Sequence, residues 1–134
     1  MKKLIALACL ALTLGMQASA QAQTIEPGRS KGSISIPSFT RLLNEAGNSI
    51  HLIDVSSARE YATGSIKGAS NIPINQLEKQ LASLPTDKPI IFFCATGGRA
   101  SEAYDTVKML RPEMTVHFLD AQVQIRPDGS PNIR

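Results

Sequence analysis

The chain has 134 residues, a formal net charge of +3 and 19% charged residues, a length that suits one domain. Its Lys and Arg form no cluster of the kind that marks a nucleic-acid footprint, and it holds no internal repeat and no low-complexity tract.

Residues 1–20 have the layout of a secretory signal peptide. "MKK" is a short basic start, "LIALACLALTLGM" is an apolar run, and Ala18-Ser19-Ala20 ends the segment in a small-x-small pattern, with cleavage expected after Ala20. The run is too short to span a bilayer. It also continues past Cys9, which argues against a lipid-bearing cysteine there. The expectation is a periplasmic or secreted protein with no membrane attachment after cleavage. Without Lys2 and Lys3, 12 basic and 11 acidic residues remain, a net charge near +1. Without Cys9, Cys94 is the single thiol. Exported proteins usually carry cysteines in pairs. A lone one is an inert core residue, an intermolecular link or a reactive thiol.

Residues 21–33 are polar, carry Pro27 and Gly28, and predict a flexible arm. A short strand signal follows, then a helix with Ser38 as N-cap, an apolar stripe of Phe39, Leu42 and Leu43, and Gly47 as the stop. "SIHLIDV", residues 49–55, predicts a strand. "SSAREYATG" predicts a short helix capped by Ser56 or Ser57. "NIPINQLEKQLASLP" gives a short extended piece and then a helix with Leu77, Leu81 and Leu84 on one face, ended by Pro85. "KPIIFFC", residues 88–94, is a second strand. In the next helix Ala100, Ala103, Tyr104, Val107 and Leu110 recur at helical spacing, and Pro112 closes it. "TVHFLD", residues 115–120, is a third strand. Residues 121–134 predict a hairpin or a tail, with Asp128-Gly129 at the tip of a turn.

Strands that are apolar on both faces and separated by helices point to an α/β domain over residues 34–120. It would be a small parallel sheet of four or five strands with helices on both faces. Ligands bind such sheets beyond the carboxyl ends of the strands. Cys94 and Asp54 both sit at such ends.

"CATGGR" lies between the second strand and its helix. Ala95, Thr96, Gly97 and Gly98 are small, and a loop of such residues can curl its N–H groups inward into an anion-binding nest. The helix start adds its positive end, and Arg99 adds a permanent charge with a planar donor fork. Helix N-termini and nearby arginines favour the thiolate, which is the nucleophile. The competing interpretation is a buried core cysteine. The glycines and Arg99 weigh against it.

These residues resemble the rhodanese sulfurtransferase family in its single-domain exported form. The resemblance runs from about Ile50 to Leu110. It is carried by "LIDV" with "EYATGSIKGASNIP", which ends in the Gly68–Pro73 turn, and by "IIFFCATGGRASEA". It implies that Cys94 accepts a sulfane sulfur from a small sulfur-containing anion such as thiosulfate. A persulfide forms, and its outer sulfur passes to a thiol or cyanide. It implies that the N–H groups of residues 95–99 stabilise the persulfide and that Arg99 holds an anionic donor. Four residues separate Cys94 from Arg99, where related phosphatases have five, which favours sulfur over a phosphate ester.

The chain also departs from the family. Ser56 stands where the family often has arginine, and Arg59, one helical turn on, is either its substitute or a solvated charge. Asp54 is a structural carboxylate capping amides near the loop, or a general base. His51 and His117 sit in strand patterns, and no Cys/His spacing suggests zinc. No cofactor and no metal are expected. Two alternatives remain open: a non-catalytic sulfur- or anion-binding or redox-sensing module, and a small thiolate phosphatase or arsenate reductase-like enzyme.

Overall fold

The computed structural model describes residues 24–45 and 49–134. The expected signal peptide with Cys9, and the Gly47 stop, lie outside the described residues. The elements in chain order are β1 Ser33–Ile34, α1 Ile36–Glu45, β2 His51–Asp54, α2 Ala58–Thr63, β3 Ser70–Asn71, α3 Ile74–Leu77, a 3-10 segment Glu78–Ser83, β4 Ile90–Phe93, α4 Gly98–Leu110, β5 Val116–Leu119, β6 Val123–Ile125 and β7 Pro131–Ile133.

Strands β1 to β5 form one sheet in the order β1-β5-β4-β2-β3. Every neighbouring pair is parallel. β4 is central and buried along its whole length, which is why "IIFF" reads as an unbroken apolar run. Side chains alternate along a strand, and the two halves of the core follow that parity. Ile90, Phe92 and Cys94 pack with Ala100, Ala103 and Val107 of α4. Ile91 and Phe93 pack on the other face with Phe39 and Leu42 of α1. The sheet is thus covered on both sides, as the sequence pattern requires.

Several expectations are refined. The cap of α1 is Ser35, not Ser38: Ser35 Oγ accepts the Ser38 N–H at 3.2 Å and Ser35 O accepts the Phe39 N–H at 2.9 Å. Pro37 has no N–H to donate and is tolerated only in a first turn, so the helix starts ahead of it. Ser38 is buried inside the helix. The helix expected over residues 74–84 tightens after Leu77 into the 3-10 segment. A three-residue repeat there keeps Leu81 and Leu84 on one side. From Thr24 onward the predicted arm is packed against the domain. Pro27 bridges Ile34, and Ser30 Oγ donates to Asp120 Oδ2 at 2.9 Å. Leu110, the last residue of the α4 stripe, is 47% exposed.

The Gly68–Pro73 turn has a specific task. The Asn71 side-chain amide donates to Asp54 O and to Ser56 O, both at 2.9 Å. The Ile72 N–H also donates to Asp54 O, at 3.0 Å. One side chain therefore clamps the end of β2 to the turn that enters α2. That clamp matters because α2 buries no residue of its own. Replacing Asn71→Ala leaves the Ser56 carbonyl without its partner, and the cost of such an orphan is about 1–3 kcal/mol. A lower urea midpoint with an unchanged m-value is the expected result, and an unchanged midpoint would show that the clamp is dispensable.

Candidate active site

Cys94 follows the last residue of β4 and is 1% exposed. It nevertheless lines a cavity of about 260 Å³ at the carboxyl edge of the sheet. The parity of β4 brings its sulfur under α4. The Gly97 N–H donates to Cys94 Sγ at 3.1 Å, so at least one main-chain amide of the loop points at the sulfur. Gly97 is the N-cap of the 13-residue α4, and the partial positive charge of that helix end falls on the same place.

The two loop glycines are not equivalent. Gly97 has φ +91°, and a Cβ there would meet Ala121 N at 3.2 Å and Asp120 Cα at 3.3 Å. Only glycine satisfies both the conformation and the approach. Gly98 faces open space and has no such backbone demand. Ala95 and Thr96 are exposed. Ala95 O accepts the Val123 N–H at 2.9 Å, which ties the loop to β6. Val123 and Ile125 of β6 line the cavity as well.

β6 and β7 form the predicted hairpin, antiparallel from Val123↔Ile133 to Ile125↔Pro131. Its turn is closed by Asp128 Oδ1, which accepts the Ser130 N–H at 2.9 Å. The hairpin is therefore a wall of the cavity, a role that the sequence did not disclose.

Asp54 is 4% exposed. Its Oδ1 accepts the Ser56 N–H at 2.9 Å and its Oδ2 accepts the Ser65 hydroxyl at 2.7 Å. It thereby caps a backbone amide. Ser56 and Ser65 both line the cavity. Arg59 is exposed on α2 and is not among the residues that line the cavity.

Glu60 is the residue that sequence reasoning missed. Ser57 caps α2 in a full capping box: Ser57 Oγ accepts the Glu60 N–H, and Glu60 Oε2 accepts the Ser57 N–H. The Ser-x-x-Glu spacing that signals such a box is legible in "SARE". The pairing of Glu60 with Arg99 is not, because 39 residues separate them. Arg99 Nη1 donates to Glu60 Oε2 at 2.7 Å and Nη2 to Oε1 at 3.0 Å, a bidentate fork. This bond, with the Ser57 N–H behind it, lowers the Glu60 pKa from 4.5 to about 2. Glu60 in turn is the main cause of a raised Arg99 pKa. Burial opposes it, and the Cys94 sulfur adds a smaller contribution in the same direction.

The two histidines lie elsewhere. His51 Nε2 pairs with Asp87 Oδ1 at 2.7 Å. His117 is half-buried on β5, and desolvation first, then Lys108, lowers its pKa. Among the described residues no group of three or more His, Cys, Asp or Glu is placed to hold a metal ion.

Residues 35–122 match the family of rhodanese-like domains. The chain is 33% identical over 91 residues to a human thiosulfate:glutathione sulfurtransferase, covering 58% of this chain and 77% of that protein. It is 39% identical over 57 residues to the uncharacterised Bacillus subtilis protein YqhL, covering 42% of this chain and 45% of that protein, so it spans under half of that relative's length. Among solved structures, a human single-domain sulfurtransferase superposes with a TM-score of 0.58 at 28% identity, covering 68% of this chain and 90% of that one.

Two measurements check this geometry. Gly97→Ala is expected to lose at least about 1–2 kcal/mol, since a left-handed conformation alone costs that much with a Cβ, whereas Gly98→Ala stays within about 1 kcal/mol of the parent. Equal melting temperatures for the two variants would show that the loop relaxes freely. For the ion pair, the Glu60 pKa is lowered on folding, so its stabilisation is complete above pH 4.5 and is lost as pH falls through about 2. An NMR titration of the Glu60 carboxyl carbon should give a midpoint near 2, moving upward in Arg99→Ala. A midpoint that ignores this substitution would mean that the fork does not persist in solution.

Proposed function

Because the chain belongs to the family of rhodanese-like sulfurtransferase domains, we propose that it moves a sulfane sulfur from a donor such as thiosulfate to a thiol or cyanide through a persulfide on Cys94. The observation that carries this is the Gly97 N–H held 3.1 Å from a sulfur that lines an open cavity. That arrangement stabilises an anion on Sγ, both the attacking thiolate and the persulfide formed from it.

The first half-reaction is a displacement at sulfur. The Cys94 thiolate attacks the outer sulfur of thiosulfate, the new S–S bond forms as the old one breaks, and the electron pair leaves on sulfite. In the second half-reaction a thiolate or cyanide attacks the outer sulfur of the persulfide and the Cys94 thiolate is regenerated. The scheme is ping-pong and needs neither metal nor redox cofactor. Asp54 already caps an amide and receives a hydroxyl, so its role is to hold the turn beside the cavity. A phosphate ester is disfavoured as substrate: only four residues separate Cys94 from Arg99, one fewer than in the related phosphatases.

The signal-peptide layout of residues 1–20 supports export, and with it a reaction in the periplasm or outside the cell. The oxidising periplasm endangers an exposed thiolate, and the near-complete burial of Cys94 restricts which oxidants reach it.

Incubation with thiosulfate is expected to add the mass of one sulfur atom to the protein, cyanide to remove it, and Cys94→Ser to abolish the gain. Unchanged mass, with turnover of a phosphate ester instead, would refute the sulfurtransferase proposal. N-terminal sequencing of the protein recovered from an exporting host is expected to begin at Gln21. A retained Met1 would refute export by this route.

A further inference from the structure

Charge decides which sulfur species reaches Cys94. The residues lining its cavity include two carboxylates, Asp54 and Glu60, and no lysine, arginine or histidine. Arg99, the nearest cation given by the loop, spends both terminal nitrogens on Glu60, and its interaction with the Cys94 sulfur is the smaller one. The remaining polar lining is of hydroxyl type, from Ser56, Thr63 and Ser65. Val123 and Ile125 make the hairpin side apolar, and apolar walls lower the local dielectric and lengthen the reach of each charge. With Cys94 as the thiolate, the two carboxylates outweigh the single guanidinium and the site is net negative.

Thiosulfate brings two more negative charges into that field, and like charges brought together repel. An ammonium group is matched to it instead. Glu60 is 46% exposed at its side chain, and both of its carboxylate oxygens are engaged, by Arg99 and the Ser57 N–H. A cavity of about 260 Å³ accommodates a short alkyl chain with a sulfur at one end and an ammonium at the other.

We propose that the preferred sulfur donor of this site is the persulfide of a small aminothiol, and that Glu60 is the residue that selects it over anionic donors. This rests on Cys94 being the persulfide-forming residue. In the step itself the Cys94 thiolate attacks the terminal sulfur of R–S–SH. The Sγ–S bond forms as the donor S–S bond breaks, the proton travels with the transferred sulfur, and the electron pair leaves on the aminothiolate. No net oxidation or reduction occurs. The donor's own ammonium group stabilises the departing thiolate. Glu60 acts as a specificity determinant: by neutralising Arg99 it leaves Asp54 and the Cys94 thiolate unopposed in the cavity.

The test uses donors of similar length and opposite charge, the persulfides of cysteamine and of 3-mercaptopropionate, with thiosulfate as a third. Each rate is divided by that donor's rate with a free small thiolate, so that leaving-group differences cancel. Loading of Cys94 in the full chain is followed by intact mass at equal donor concentration. The parent protein is expected to load from the cysteamine persulfide about tenfold or more faster than from the carboxylate-bearing one. Glu60→Gln, which keeps the Ser-x-x-Gln capping box, is expected to narrow that ratio severalfold and to speed loading from thiosulfate. Glu60→Ala should do the same, with melting curves showing that both variants stay folded. Raising ionic strength should narrow the ratio in the parent and have less effect in the variants. A parent protein that loads fastest from thiosulfate, or a ratio unmoved by both substitutions, overturns the donor assignment and leaves the Cys94 persulfide standing. Loading from none of the three donors overturns the persulfide itself.

Discussion

The contact on which the rest depends is the Gly97 N–H directed at Cys94 Sγ. It requires three separate conditions. β4 must end on a residue of the right parity, so that residue 94 faces α4 with Ile90 and Phe92 and not α1 with Ile91 and Phe93. The chain must then reverse within three residues, which it does through a glycine at φ +91°. Finally, the loop must be pressed from behind by the Asp120–Ala121 backbone, close enough that no Cβ fits. A one-residue slip of β4 would turn the cysteine to the opposite face and separate it from the helix terminus. The opening position of α4 is thus set by sheet register as much as by its own sequence.

Around that contact the electrostatics are divided between two layers. Asp54 and Asn71 act on backbone groups: one caps the Ser56 N–H, the other holds the Asp54 and Ser56 carbonyls. Together they fix the turn that launches α2, a six-residue helix with no buried side chain. What α2 contributes in return is Glu60, held by its capping box and aimed at Arg99. An exposed ion pair of this kind adds little to stability. Its consequence is for charge at the cavity, because it removes from use the cation that the loop would otherwise offer to an anion.

The central architecture was legible because its signals are local or periodic. "HLIDV" and "IIFFC" announce strands buried on both faces, and both are where expected, at β2 and β4. The stripe of Ala100, Ala103 and Val107 announces α4, and all three are buried. The hairpin tip at Asp128-Gly129 was visible as a turn signal. Long-range pairings were not legible. Nothing in "SARE" names Arg99 as the partner of Glu60, and nothing in "QVQI" shows that Val123 will bond Ala95 O and close the cavity. Local pattern also misplaced the cap of α1, where three competing cues (Ser35, Pro37 and Ser38) lie within four residues and the proline decides among them. Gly97 and Gly98 look alike in sequence, and only the backbone angle and the Asp120 contact tell them apart.

The hairpin shows how stability and chemistry share the same atoms. Val123 is 9% exposed and belongs to the α1-side core with Phe93 and Leu119, yet it also lines the cavity and bonds the loop through its N–H. Its strand partner Ile133 packs against the same core, and Gln122 and Arg134 exchange backbone bonds at 2.9 and 3.1 Å, so the second strand clamps the first. Burial of these apolar side chains, worth about 25 cal/mol per Å², therefore supplies the force that seats an apolar wall beside the sulfur. That wall excludes water from one side of Cys94 and strengthens every charge–charge interaction in the cavity, including the repulsion between Asp54 and an anionic donor. A hairpin that loosened would admit solvent, weaken that repulsion and relax donor discrimination before it unfolded the sheet. Selectivity at Cys94 is in this sense set by the packing of residues at the far end of the chain.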